Sequence, residues 1–567
     1  MLNKKIAEIF YEIADLLELQ GVSFKPRAYR RGARNIESMK EDIQEFYDDD
    51  NLREIEGVGK AMEGKIKEII ETGSLDYLEE LREDMPAGLV DVMKVPGVGP
   101  KSAKQLYDEL EVVDLDSLKE KAEDGEIRDL KGFGKKTEEK IINGIEMLEK
   151  TSGRHLLHDI DPVAEEVIEH LQGVCDRIAK AGSLRRNKET VGDVDILTTG
   201  DHEKIMDRFV EFKDVEEILV QGDTKTSVRM DSGIQVDVRV VDNDSFGAAL
   251  QYFTGSKEHN VKLRQMAIDQ GYKLNEYGVF KKDSEEKVAG GTEEEVYGTF
   301  GLPWIPPEIR QDKGEIEAAQ EGKLPELVSL DDIKGDLQSH SNWSDGHNTV
   351  MEISKAAQDR GYEYLALTDH SQGLKVANGL TKEDLAERKK EIDEVQKDLD
   401  IHILNGIEVD FKKDGKLDMD TETLESLDIV LGAVHSNFRL DREQQMKRIE
   451  DAFSTGLVDI FAHPTGRKIG EREPYEVDMR GLIALAKEYN VVLEINCHPI
   501  RLDLDTDSAR RAMEEGVMIS LGTDAHGLQH LEYMKYGVGI ARRAWLEKDD
   551  VLNTRSYAEL MDYLGGS

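Results

Sequence analysis

The last two-fifths of this 567-residue chain place a possible metal ligand at the end of one apolar run after another. The runs read IKGDLQSHSNWSD, YLALTDH, IHILNGIEVD, DIVLGAVHS, VDIFAHP, VVLEINC and VMISLGTDAH. Six of the seven carry such ligands: His340 and Asp345, His370, Glu408, His435, His463, then Asp524 and His526. Short apolar runs alternating with helical stretches predict buried strands in a parallel barrel, whose strand ends converge on one face. Eight carboxylate and imidazole ligands there predict a hydrolytic site with several metals. Any one of these histidines alone reads as a hydrogen-bonded core residue. The set does not, because nine of the 14 histidines follow residue 333 and five of those stand at strand ends. His347, His402, His498 and His530 lack the pattern and read as structural.

The chain is 38% hydrophobic and carries a net charge of −44. Its length allows about three to five domains. No apolar run approaches the roughly 20 residues of a membrane helix. The N-terminal MLNKKIAEIFYEIADLL has acids inside its apolar pattern, unlike a secretory signal. The two cysteines, Cys175 and Cys497, stand outside any CxxC pair, exclude a disulfide framework and fit a reducing cytosol. A cytoplasmic protein with no membrane partner is expected. The acidity opposes a nucleic-acid reading, since phosphate binding wants basic surface. It is uneven, however: Lys25, Arg27, Arg30, Arg31 and Arg34 form an acid-free basic patch.

The first 150 residues are helical by pattern and carry one design three times: IEGVGKAMEGKIKEII, VPGVGPKSAKQLYDEL and LKGFGKKTEEKIINGI. Each is an apolar lead-in, a G-x-G turn (Gly57 and Gly59, Gly97 and Gly99, Gly132 and Gly134), a lysine, then an amphipathic helix. Such a turn brings backbone close to a phosphate, and the helix start aims free N–H groups and a positive dipole end at it. One copy reads as an ordinary helix joint; three, each with its lysine, predict backbone-phosphate binding. They resemble helix-hairpin-helix DNA-binding motifs. Lys25 and Arg30 join them as expected DNA contacts.

From about residue 151 the pattern becomes mixed α/β. In AGSLRRNKETVGDVDILTTG, Gly182-Ser183 opens a helix suited to phosphate, and Asp193 and Asp195 follow on a strand. Residues i and i+2 of a strand share a face, so both carboxylates can share metals. A third acid, Asp237, lies between apolar neighbours in GIQVDVRVV. With Tyr252-Phe253-Thr254-Gly255-Ser256, Asn260 and Arg264, this set resembles the family X DNA polymerases. The resemblance implies that Asp193, Asp195 and Asp237 hold two Mg²⁺ or Mn²⁺ ions for nucleotidyl transfer. It implies further that Gly182, Ser183 and Arg186 bind the triphosphate. Tyr252 and Gly255 would line the sugar, and Asn260 and Arg264 would face the nascent pair and template. FKPRAYRRGARNI resembles the family's DNA-end-binding domain, and Lys65 aligns with its Schiff-base lysine. That role needs a depressed pKa, for which Lys60 and Lys67 are the nearby cations and Glu63 and Glu68 the opposing anions. A phosphate-contacting helix lysine is the alternative.

The C-terminal region resembles the polymerase and histidinol phosphatase (PHP) domain. That likeness implies one metal on His340, Glu408 and Asp524, a second on Glu408, His435 and His463, and a third on Asp345, His370 and His526. Mn²⁺, Zn²⁺ or Fe²⁺ suits this donor set. The family's H-x-H is here Gln338-Ser339-His340, which softens the first site. Arg467, after AHPTG, is a candidate phosphate clamp.

Together the likenesses imply a multidomain chain. Its expected parts are a helical DNA-end-binding domain (1–85), helix-hairpin-helix fingers (86–150), an α/β (α+β) nucleotidyltransferase palm (151–240), a thumb (241–310), a linker (311–333) and a distorted (β/α)7 PHP barrel (334–567). They imply gap-filling repair synthesis, with the barrel acting as a 3′→5′ exonuclease that also serves abasic or blocked ends. The expected partners are gapped or primer-template DNA and dNTPs, bound by a monomer at the nucleoid. A small-molecule PHP phosphoesterase would leave the hairpins and the acid trio idle. A DNA-end scaffold would require lost ligands, yet all eight are present.

Overall fold

The computed structural model describes residues 2–22, 24–39, 43–48, 51–55, 57–73, 75–83, 86, 88–95, 98–151 and 153–565. The chain divides into two units, residues 1–152 with 470–472, and residues 153–469 with 473–567.

The first unit is helical among its described residues. Its helices include Leu2–Leu19, Lys25–Ser38, Lys60–Thr72, Pro100–Leu110, Leu115–Glu123 and Lys135–Thr151. Ile6, Phe10, Ile13 and Leu17 recur at helical spacing and are buried, so one stripe of the first helix enters the core. The second helix answers with Tyr29, Ala33 and Ile36, and the Phe10 and Tyr29 rings meet edge to face at 5.5 Å. Two predicted turns lead into helices as expected: Gly59 caps Lys60–Thr72, and Gly99 caps Pro100–Leu110. Gly134 precedes Lys135–Thr151, which is pinned by buried Glu138 accepting from Arg128 N at 2.8 Å. Gly97 lies outside the described residues.

The second unit begins with a mixed five-stranded sheet. Its strands are β1 (Cys175–Lys180), β2 (Asp193–Gly200), β3 (Val215–Gln221), β4 (Lys225–Met230) and β5 (Gln235–Val240), in spatial order β1-β2-β5-β4-β3. Only β2 and β5 run parallel, and their register sets Asp195 beside Asp237. A three-stranded meander follows, β6 (Tyr272–Asn275), β7 (Gly278–Lys281) and β8 (Lys287–Ala289). The stretch 311–333, read from sequence as a linker, holds the helix Glu315–Gln320. Ile316 and Ala319 pack into the same core as Leu263 and Val296, and buried Glu315 receives His259 Nδ1 at 2.6 Å. In EIEAAQ, Glu317 is exposed while Ile316 and Ala319 face the core.

Seven parallel strands follow in sequential order: β9 (Gly335–Ser339), β10 (Tyr364–Leu367), β11 (His402–Asp410), β12 (Ile429–Ala433), β13 (Ile460–Phe461), β14 (Val492–Asn496) and β15 (Ile519–Gly522). The ring closes where Ser339 pairs in parallel with Ala525 and His340 N donates to Ala525 O at 2.8 Å. Side-chain capping boxes start the helices at Thr349, Thr381 and Asp441, which fixes where each loop ends. One hydrophobic core runs from Leu157, Val194 and Val236 beneath the five-stranded sheet to Phe411, Leu493 and Ile540 of the barrel. Cys497 is packed in this core.

Inside the barrel, Arg388 and Asp369 are fully buried partners at 2.7 Å, and Arg388 also donates to Asn405 Oδ1 at 2.8 Å. Asp369 in turn accepts from Ser341 N and Ser344 Oγ beside His340. Arg388→Met is therefore expected to strand a buried carboxylate and cost about 3–5 kcal/mol. Scanning calorimetry of the full chain should show the lowered melting temperature, and an unchanged one would mean Asp369 has compensation elsewhere.

Candidate active sites

The first site lies at one end of the five-stranded sheet. Asp193 and Asp195 share a face of β2, and Asp237 stands beside them on β5, with an oxygen of each within 4.8 Å of the others. At an effective dielectric of about 20, each such pair of charges repels by roughly 3–4 kcal/mol. Burial, then Asp193 and Asp237, push Asp195 up to about 6. At Asp237 burial also works upward, but hydrogen bonds from Lys225 and Gln235 hold it below the ordinary carboxylate range. Lys225 Nζ is 2.5 Å from Asp237 Oδ2, and Gln235 Nε2 is 2.9 Å from Oδ1. One lysine offsets only part of this charge, so the donor set suits divalent cations.

Gly182, at φ 62, opens the helix Gly182–Arg185 directly against this trio. A Cβ there would lie 2.5 Å from Asp195 Oδ2, so a side chain cannot be accommodated. Arg186 is buried; it donates to the Thr254 carbonyl oxygen, while its Nε has no partner. Burial and the nearby Arg543 push it down to about 10. Gly255 faces the same guanidinium, since a Cβ on it would stand 3.0 Å from Arg186 Nη1. Asn260 is held by Gln251 Nε2 at 2.7 Å and donates to Tyr252 O at 2.7 Å. Ser183 and Arg264 are half-buried on the helices Gly182–Arg185 and Lys257–Asp269. The structure thus groups Gly182, Arg186 and Gly255 with the acids.

Sequence reasoning missed what braces this site. Arg185 pairs with Glu293 at 2.7 Å, and fully buried Arg310 reaches the same carboxylate at 2.6 Å. Both guanidiniums outweigh burial and pull Glu293 down to about 2. These partners are over 100 residues apart from Arg185, so no local pattern announces them.

The second site is the mouth of the barrel, centred on Glu408 of β11. His463 Nε2 lies 2.8 Å from its Oε1 and His435 Nε2 3.1 Å; His370 Nδ1 lies 3.3 Å from its Oε2 and His340 Nε2 3.5 Å. Asp524 Oδ1 is 3.1 Å from His340 Nε2, and Asp345 Oδ1 is 3.3 Å from His526 Nε2. Burial alone would raise the Glu408 pKa, yet the imidazoles hold it well below the usual range. The same attraction, from Glu408 and Asp410, overrides burial at His435 and pushes it up to about 9. Both ring nitrogens of His340, His370 Nδ1 and Glu408 Oε2 are buried without a hydrogen bond. Orphaned donors and acceptors of this kind in one cluster fit divalent ions.

Three ligand groups form: His340, Glu408 and Asp524; His370, Glu408 and His435; and His340, Asp345, His370 and His526. The first matches its expected set. In the second, His370 stands with Glu408 and His435 where His463 was expected. His463 remains in contact with Glu408 but outside that close group. Gln338 is fully buried, its Oε1 accepting from Asn496 Nδ2 at 3.1 Å and its Nε2 without a partner. The strand VVLEINC, the one run with no ligand read on it, supplies Glu494 and Asn496 to this neighbourhood. Burial, then Asp524 and Glu408, push Glu494 well above the carboxylate range. Their signal was period-two inward spacing on a strand, masked by the apolar run. Arg467 is not a clamp here: it donates to Arg501 O at 2.8 Å and pairs with Glu189 at 2.7 Å. Arg501 is the guanidinium at the ligands, its Nε 3.4 Å from Asp524 Oδ2. Of the remaining histidines, His402 stacks on Tyr557 at 3.7 Å, while His498 and His530 pack with Tyr533.

In the helical unit, Lys65 Nζ sits 3.5 Å over the Tyr77 ring. Burial lowers its pKa; Lys25 helps, while Glu68 and Glu80 oppose. Lys67, expected to do this, pairs with Glu63 at 3.2 Å. Lys25 is exposed, whereas Arg30 is engaged with Asp15 at 2.7 Å and Glu18 at 2.6 Å.

Comparison with known proteins places these parts. A helix-hairpin-helix domain matches residues 1–75, and a SAM-like helix-hairpin-helix tandem matches residues 89–146. The DNA polymerase beta thumb matches residues 249–311, and the PHP domain matches residues 336–498. The chain is 41% identical to the DNA polymerase/3′-5′ exonuclease PolX of Bacillus subtilis, over 100% of this chain and 99% of that protein. DNA polymerase lambda of Arabidopsis thaliana is 28% identical over 54% of this chain and 62% of its own. A probable phosphatase of Thermoanaerobacter sp. (strain X514) is 29% identical over 40% of this chain and 94% of its own.

Glu408→Gln is expected to strip the barrel of tightly held ions without unfolding it. Elemental analysis after dialysis against Mn²⁺, beside circular dichroism, checks this; a full metal complement in the variant would remove Glu408 from the centre of the site.

Proposed function

The chain belongs to the family of family X DNA polymerase/3′-5′ exonucleases that carry a PHP domain, and on that premise we propose a division of labour between its two acidic centres. Two centres of this kind in one unit carry the reading, and the whole-chain similarity to PolX disfavours a small-molecule phosphoesterase.

In the palm, Asp193, Asp195 and Asp237 would hold two Mg²⁺ or Mn²⁺ ions. Bound there, the ions would lower the primer 3′ hydroxyl pKa and neutralise the leaving pyrophosphate. The chain's own residues position the reactants. Gly182 and Ser183 present a helix start to the triphosphate, and Arg186 supplies its charge. Tyr252 and Gly255 shape the sugar floor, while Asn260 and Arg264 face the nascent pair and the template. The incoming nucleotides are dNTPs on gapped or primer-template DNA.

In the barrel, the eight ligands would hold up to three Mn²⁺, Zn²⁺ or Fe²⁺ ions, whose chemistry would be to polarise the phosphodiester and activate water. Asn496 orients Gln338 and Asp524, and Arg501 offers a cation for the scissile phosphate. The substrate is a DNA 3′ end, with abasic or blocked ends as variants of it. Both centres are complete within one chain, which supports action as a monomer at the nucleoid. The described helices include none long and apolar enough to cross a membrane. The hairpin turns at Gly57, Gly59, Gly99, Gly132 and Gly134 grip the DNA backbone, with Lys25 nearby. Half-burial of Lys65 beside Lys25 supports Schiff-base chemistry at incised abasic ends.

The joint variant Asp193→Ala/Asp195→Ala should abolish nucleotide incorporation and keep Mn²⁺-dependent degradation of a 3′ end. His435→Ala should do the reverse. Loss of both activities together in a folded variant would sink the two-centre reading. For Lys65, borohydride should trap an adduct with an incised abasic duplex that Lys65→Ala cannot form; an adduct surviving in the variant would move the chemistry to another amine.

A further inference from the structure

We propose that Arg543, which comes from the barrel and not from the palm, is a positioning residue for the palm's triphosphate-binding turn. Arg543 closes the barrel helix Met534–Arg543 and is buried. Its Nη1 donates to the carbonyl oxygen of Arg186 at 2.9 Å, its Nε to Thr506 Oγ1 at 3.3 Å and its Nη2 to Gln311 Oε1 at 3.3 Å. All three acceptors are neutral. A buried guanidinium placed on a backbone carbonyl, with no carboxylate among those partners, fixes the chain at that carbonyl.

That carbonyl belongs to the residue whose side chain reads the triphosphate in the function proposed above, on which this inference rests. Arg186 turns its side chain to Thr254 O and its main chain to Arg543, so the two guanidiniums lie close without touching one acceptor. The next residue, Asn187, adopts φ 50. The same barrel helix braces it: a Cβ at Gly539 would stand 3.1 Å from Asn187 Cβ, so any side chain there would press on the turn. Two residues earlier, about half a turn away and so on the opposite face of the helix, Gly537 closes on Cys497 just after β14, where a Cβ would meet Sγ at 2.1 Å. The helix is therefore fixed against the barrel on one side and sets the Arg186–Asn187 turn on the other. Its neighbour Arg542 adds a contact to Glu308 at 2.7 Å.

Arg543 touches no reacting atom, so its effect should fall on nucleotide affinity. Steady-state incorporation on a gapped duplex should show the dNTP KM of Arg543→Ala raised by about tenfold, as for a lost charged hydrogen bond. Its kcat should change far less, and 3′-end degradation by the same preparation should be unchanged. Arg543→Lys should recover part of the KM. Gly539→Ala, which keeps the charge but crowds Asn187, should raise KM in the same direction. An unchanged KM in Arg543→Ala overturns the proposal, and so does a parallel fall of both activities, which marks general loosening. A wild-type chain that incorporates nothing would instead sink the polymerase reading itself.

Discussion

A carboxylate sealed from water needs a cation, and Glu408 has four imidazoles around it. Desolvating an unpaired carboxylate costs several kcal/mol, and the surrounding histidines offset that cost. They reach Glu408 because parallel strands in sequential order end at one height. Each strand then needs to contribute only one or two side chains. The arrangement leaves ring nitrogens without partners, and a divalent ion resolves both the excess of acids and the orphaned nitrogens at once. The palm solves the same problem differently. There, Lys225 compensates Asp237 directly, while Asp195 is left with a raised pKa.

Much of this was legible from sequence because the chemistry rides on local periodicity. Asp193 and Asp195 are two apart on a strand, and the barrel ligands terminate apolar runs. What escaped was whatever depends on register between distant segments. Lys225 meets Asp237 because β4 pairs with β5. Glu293 meets Arg185 from 108 positions away. Glu494 was hidden by its apolar neighbours, and Arg467 looked like a clamp until Glu189 took its guanidinium. The packed stretch 311–333 shows the same limit, since Ile316 and Ala319 of the charged EIEAAQ face inward.

The net charge of −44 no longer argues against DNA. Backbone N–H groups at helix starts bind phosphate without net positive charge. Much of the basic side-chain charge, as at Arg30, is already committed to neighbouring acids. Affinity built this way falls less with salt than affinity built on exposed lysines.

The core that runs from Val194 and Val236 into Leu493 and Ile540 has a consequence for the amount of folded protein as much as for its stability. Because it runs unbroken from the five-stranded sheet into the barrel, loosening either side bares apolar surface that the other side helps to bury. A cut between them would bare apolar surface on both fragments. A destabilising change in the nuclease barrel lowers the standing amount of polymerase, and the reverse holds too.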